Sequence, residues 1–181
     1  MDRPILRTFV AYVEDRPGVI NRVVSLFRRR DYNIESLTVG RTERPGVALL
    51  TIVMEADADA ARRLEANLYK LVNVLEVHDL THASTIVSDL ALIKVRTTRE
   101  TRVQVLQLCD VCRARVVDVT HDALIIEMTG TQMKIDGLIE VLAPFGIVEM
   151  VRTGAVAMTC GAQPFTRADN AAPLATGEAA A

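Results

Sequence analysis

The chain has no tryptophan, three tyrosines, four phenylalanines, three cysteines and no marked excess of either charge. Each shortage narrows what it can do. Twenty-three acidic residues against 21 basic give a formal net charge of -2, which argues against a nucleic-acid surface as its main business. Three cysteines, an odd number, provide no disulfide framework and suit a reducing compartment. No apolar run approaches the roughly 20 residues of a membrane span. The start Met-Asp-Arg-Pro-Ile lacks the apolar core of a signal peptide, so the chain is expected in the cytoplasm, off the membrane.

Reaction motifs are missing as well. There is no P-loop, no G-x-G-x-x-G, no nucleophile elbow, and no carboxylate pair that stands apart from surface charge. Cys109 and Cys112 form a C-x-x-C. With Val105 and Leu108 they fall at helical i, i+3, i+4 and i+7, the buried stripe of a helix rather than a metal or redox site. His78 and His82 lie on a strand end and a connector, where a spacing of four does not bring side chains together. The chain is therefore expected to have no catalytic residue, no metal site and no bound cofactor of its own. A sheet-borne RNA module would need exposed aromatics on its inner strands; these strands offer Leu, Val, Thr and Ile.

Half of the 181 residues are apolar, enough to bury a core. Ile5 to Val13 reads as a central strand and Pro17 to about Arg30 as a helix with Val19, Val23 and Phe27 on one face. Asp31 follows, a residue type that tolerates a left-handed turn. Asn33 to Val39 and Val47 to Met54 read as a hairpin over Pro45 and Gly46. Asp57 to Lys70 is a second helix and Val74 to Leu80 a fourth strand. The same order then recurs: strand Leu90–Arg96, helix Glu100–Arg113, strands Val116–Thr120 and Leu124–Met128, helix Thr131–Ala143, strand Ile147–Met158. The expected fold is α+β, two tandem ferredoxin-like βαββαβ sandwiches, with domains 1–80 and 89–161, a linker 81–88, and a disordered tail 162–181.

The two halves differ at the turn from first strand to first helix. Residues 14–19 read Glu-Asp-Arg-Pro-Gly-Val; residues 97–100 read Thr-Thr-Arg-Glu, without Gly or Pro. Gly18 permits a close backbone approach to helix N–H groups, which favour an anion, while Asp15 can accept from an ammonium. A ligand carrying both charges is an α-amino acid, and it is expected in the first half.

Glu14-Asp15-Arg16-Pro17-Gly18-Val19 together with Asp31-Tyr32-Asn33-Ile34-Glu35-Ser36-Leu37-Thr38-Val39 resembles the N-terminal ACT domain of acetolactate synthase regulatory (small) subunits. Further matches are Leu68-Tyr69-Lys70-Leu71-Val72-Asn73-Val74, Leu90-Ala91-Leu92-Ile93-Lys94-Val95, Val116-Val117-Asp118-Val119 and Gly154-Ala155-Val156-Ala157. The resemblance spans roughly residues 5 to 161. It implies an N-terminal ACT domain, a C-terminal ACT-like domain, and a homodimer formed through the ACT domains. It also implies a separate large catalytic subunit that uses thiamine diphosphate, magnesium and FAD, activation of that subunit, and feedback inhibition by valine, with leucine or isoleucine as other effectors. Carried over by position, the effector site falls on Asp15, Gly18, Val19, Asn33 and Ile34, with the Gly18 and Val19 amides on the carboxylate. Many relatives carry Asn in place of Asp15, Gly in place of Asp31, a Ser-Arg-Met-Thr-Ile strand in place of Ala48–Ile52, and Ser-Arg-Gly in place of Thr159–Gly161. A stand-alone amino-acid sensor acting on another protein, or a valine-insensitive paralogue, is the alternative.

Overall fold

The structure is a computed structural model, and it describes residues 3–161. The tail expected from residue 162 lies outside the described residues. The chain divides into two compact units, one formed by residues up to Ile86 together with the segment from Ala157, the other by Val87–Val156.

In the first unit β1 (Ile5–Glu14), α1 (Val19–Arg29), β2 (Ser36–Arg41), β3 (Val47–Ala56), α2 (Ala58–Leu68) and β4 (Val74–Asp79) follow in order. The sheet runs β2-β3-β1-β4 and every pairing is antiparallel. β1 is central because its β-branched and aromatic residues bury on both sides. Alternate residues Phe9, Ala11 and Val13 join Leu50, Ile52 and Met54 of β3 against Val23, Phe27, Leu64 and Leu68 of the helices. Each of these side chains larger than alanine contributes about 1.5–3 kcal/mol on leaving water. Asp57 caps α2, accepting from the Ala60 amide at 2.7 Å, and Arg7 is held in the buried layer by the Ala56 carbonyl and Asp79.

The second unit repeats the pattern with β5 (Thr85–Arg96, of which Thr85 and Ile86 fall in the first unit), α3 (Thr101–Cys112), β6 (Arg115–Val119), β7 (Ala123–Gly130), α4 (Gln132–Leu142), a 3₁₀ turn at Ala143–Phe145 and β8 (Ile147–Arg152). β9 (Val156–Thr159) follows, its residues from Ala157 grouped with the first unit rather than with the 89–161 domain expected from sequence. The order of this second sheet is β6-β7-β5-β8, with β9 also paired to β5. Cys109 is buried in this core and Cys112 packs against it, as the stripe predicts; burial pushes the Cys109 thiol pKa up. The architecture is the expected pair of α+β sandwiches.

Four local expectations need correction. Pro17 and Gly18 precede the helix, which begins at Val19. Gly18 is the N-cap at φ 84°, and a left-handed cap stops the helix from reaching back to the proline. The second strand begins at Ser36, not Asn33. Asp31 turns left-handed at φ 55°, the Tyr32 amide bonds to the Phe27 carbonyl at 3.1 Å, and the Tyr32 ring packs edge-on to Phe27, so the chain stays tied to the helix end. The stretch expected as a linker is partly strand, because Thr85 already opens β5, whose β-branched start continues the ladder. The last strand is broken: Gly154 at φ 86° separates β8 from β9.

Candidate effector site

The turn between β1 and α1 is held from behind. The Glu14 amide donates to the Asn73 carbonyl at 2.9 Å and the Asp15 amide to the Gly46 carbonyl at 2.8 Å. The Asn73 side chain donates to Glu14 Oε2 at 2.7 Å and receives Arg22 at 2.6 Å. Across the β2–β3 turn, Arg44 bonds Glu76 at 2.9 Å and stacks over the Tyr12 ring, 5.0 Å from its centroid. Arg44 holds the Glu76 carboxyl below the usual carboxylate range, against the burial that would raise it and with help from His78. These contacts join residues far apart in the chain, which is why no local pattern announces them.

What faces outward is a set of donors and one acceptor. The Val19 amide donates to the Arg16 carbonyl at 3.3 Å, closing the turn. It is therefore engaged, whereas the amides of Gly18, Ile20 and Asn21 have no acceptor among the described residues. The helix dipole adds positive potential there. The Asp15 side chain is exposed and makes no bond among the described residues. A Cβ built on Gly18 meets nothing within 4 Å, so the space over the amides is open. Carboxylate on the amides and ammonium by Asp15 is the chemistry this arrangement can serve.

The corresponding turn of the second unit is closed. The Thr101 amide donates to Thr98 Oγ1 at 3.2 Å and the Thr98 amide to Thr101 Oγ1 at 2.9 Å, a reciprocal cap of the helix start. Arg102 reaches across it, donating to the carbonyls of Thr120 and His121 at 2.6 Å each. The Thr-x-x-Thr spacing is a cap signal carried in the sequence at Thr98 and Thr101.

Asn33 and Ile34 lie in the α1–β2 loop. Asn33 is exposed, its amide nitrogen donating to Glu35 Oε1 at 2.8 Å, which leaves Oδ1 as an acceptor. Ile34 is half-buried against the core. These residues are at the other end of the unit from Asp15. Ser36 pairs with Val53, which also pairs with Thr8; Glu14 lies six positions further along β1, about 20 Å at ~3.4 Å per residue. Within one chain the five residues do not meet around one amino acid.

Among the described residues no group of His, Cys, Asp or Glu is arranged to hold a metal ion, and no helix is long and apolar enough to cross a membrane.

Known proteins resemble the chain over both units. Residues 9–76 match a model of the ACT domain of acetohydroxyacid synthase small subunits, and residues 88–161 match one for the small subunit of acetolactate synthase. A probable acetolactate synthase small subunit of Methanothermobacter thermautotrophicus is 43% identical over 154 residues, covering 84% of this chain and 92% of that protein. The Bacillus subtilis acetolactate synthase small subunit is 42% identical over 158 residues, 87% of this chain and 92% of its own length. The crystal structure of a Thermotoga maritima acetolactate synthase small subunit superposes with a TM-score of 0.82 at 34% identity, covering 88% of this chain and 99% of that one. On its sequence, its domain content and its fold, the chain belongs to the acetolactate synthase small-subunit family.

Proposed function

We propose that the chain is the regulatory subunit of an acetolactate synthase, activating a thiamine-diphosphate-, magnesium- and FAD-dependent large subunit and conveying feedback inhibition by valine. The observation that carries the effector reading is the open helix start at Gly18, with three unpaired amides beside an unpaired carboxylate.

The 20 Å gap supports a site shared by two copies. β2 is an edge strand, bonded to β3 alone in the sheet order, and Val39 is exposed on it. Two such edges pairing antiparallel run the start of each strand toward the end of the other. Arg41 is level with Ala48 and Val13, next to the Asp15–Gly46 bond, so this pairing carries Asn33 and Ile34 of the partner subunit toward Asp15, Gly18 and Val19. At 100° per residue Ile20 and Val24 lie on the flank of α1 away from Arg22 and Arg29. They are 42% and 40% exposed, and with Ile34 they supply an apolar wall for the effector's side chain.

In this reading Gly18 and Ile20 donate to the carboxylate, while Asp15 and the Asn33 carbonyl oxygen accept from the ammonium. An effector bridging two copies stabilises one dimer arrangement, and a large subunit that distinguishes the arrangements responds; a coupling of about 1–3 kcal/mol is typical. The experiment mixes the full chain with its host's large subunit and follows acetolactate formation from pyruvate, with and without valine. Stimulation that valine reverses is expected. Absence of both stimulation and a complex on a sizing column refutes the reading and leaves a sensor for some other protein.

A further inference from the structure

α1 and its cap carry Arg22, Arg28, Arg29 and Arg30, and no acidic residue lies between Val19 and Arg30. None of the four makes an ion pair among the described residues. Arg22 donates to Asn73 Oδ1 at 2.6 Å, Arg29 to the Ser25 carbonyl at 3.2 Å and Arg30 to Asn67 Oδ1 at 3.4 Å, all neutral acceptors, and the Arg28 side chain makes no bond among the described residues. Arg7, Arg44, Arg115 and Arg152 are matched with Asp79, Glu76, Glu127 and Asp136; other arginines without an ion pair among the described residues, such as Arg41, Arg63, Arg96 and Arg113, are scattered over separate elements. A chain that is acidic overall thus gathers unneutralised positive charge on one helix. The dipole explains Arg28 and Arg29 in the last turn, but Arg22 sits in the first, where a cation is disfavoured.

Arg22, Arg28 and Arg29 line an open hollow of about 460 Å³ with Asn21, Ser25 and Leu71. Val72, next in the chain, is 89% exposed. Arg22 and Arg29 are two helical turns apart, about 10 Å, too far to close on one small anion and well matched to carboxylates spaced along a helix or strand. At 100° per residue Arg22 and Arg29 lie on the flank of α1 opposite Ile20 and Val24, the flank that pairing through β2 leaves free, while Arg28 lies on the solvent face between them.

We infer that this arginine-lined hollow is the docking surface for the large subunit, and that the segment it receives is acidic and carries an apolar side chain against Leu71 and Val72. The inference rests on the regulatory-subunit reading and names the contact by which it works. Exposed charges of this kind set encounter rate and salt dependence as much as affinity.

The test compares the full-length wild-type chain with the double variant Arg28→Glu/Arg29→Glu for binding to the purified large subunit across a series of KCl concentrations. Wild-type binding weakens as salt rises. The variant binds at least about tenfold more weakly at low salt and responds less to salt, while retaining the wild-type elution volume and valine titration. Arg28→Lys/Arg29→Lys retains binding. If the reversal disturbs folding by far-UV circular dichroism, Arg28→Gln/Arg29→Gln replaces it, with a smaller loss in the same direction expected. Wild-type affinity in a folded double variant overturns the inference, and so does inorganic triphosphate binding at the hollow while complex formation is unaffected. A wild-type chain that binds no large subunit at any salt overturns the regulatory reading itself.

Discussion

Replacing Gly18 by aspartate probes the proposed effector site with little demand on the fold. The new Cβ meets nothing within 4 Å, so the cost is conformational. At φ 84° an L-residue loses about 1–2 kcal/mol, and aspartate is among the residue types that bear this best. Its carboxylate at a helix start regains about 0.3–1 kcal/mol from the dipole. The net is about 1 kcal/mol, or roughly 4–8 °C in Tm for a domain of this size. The same carboxylate sits over the Gly18 and Ile20 amides, where the effector's own would go. Losing charge-assisted hydrogen bonds of about 1.5–3 kcal/mol corresponds to a 10- to 150-fold rise in the valine Kd. Calorimetric titration of valine into the purified variant, after thermal denaturation has shown it folded, reads both quantities. A folded Gly18→Asp chain that binds valine as the wild type does would refute the placement of the carboxylate.

A site divided between two copies should show complementation: Gly18→Asp and Ile34→Asp dimers, each defective in valine binding, regain on mixing and subunit exchange one intact site of two, read as half-stoichiometric binding. No recovery in verified mixed dimers counts against the β2 pairing. Glu76, held below the usual carboxylate range by Arg44 and His78, contributes stability that is present above its unfolded pKa and lost as pH falls through the folded one. The Tm advantage of wild type over Glu76→Gln is therefore expected at neutral pH and should vanish in acid; a difference independent of pH would assign it to packing. Cys109, buried with its thiol pKa raised, should resist a thiol reagent in the native state while exposed Cys160 reacts, and equal rates on peptide mapping would contradict its place in the core.

The sequence revealed most where apolar periodicity and turn chemistry agree. The stripe Val19, Val23 and Phe27 announces α1, because burial on one helix face imposes that spacing, and the buried Ile135, Leu138 and Leu142 of α4 keep the same period. Asp31 was legible as a left-handed turn; Arg113, which adopts φ 57°, was not, since arginine has no local preference that signals it. Asn33 and Ile34 look extended in sequence, whereas the Tyr32–Phe27 contact keeps them at the helix end, so β2 starts later than its pattern suggests. The break at Gly154 was passed over inside an apolar run. Of the candidate site, the donor-rich turn could be inferred from Asp15, Pro17 and Gly18, but the engagement of the Val19 amide and the distance from Asp15 to Asn33 depend on strand register, which is not visible in either segment alone.

The contrast between the two helix starts has a kinetic consequence. At α3 the threonine cap and Arg102 occupy the turn, so its Thr98 and Thr101 amides should exchange with deuterium only when that cap opens. At α1 the amides of Gly18, Ile20 and Asn21 have no acceptor among the described residues, and they should exchange in the first moments of labelling. An effector bound there adds protection at one turn and not at its counterpart. Two units with the same topology thus differ in what their most exposed protons report, one on the opening of the fold and the other, under the proposed effector reading, on the concentration of an amino acid.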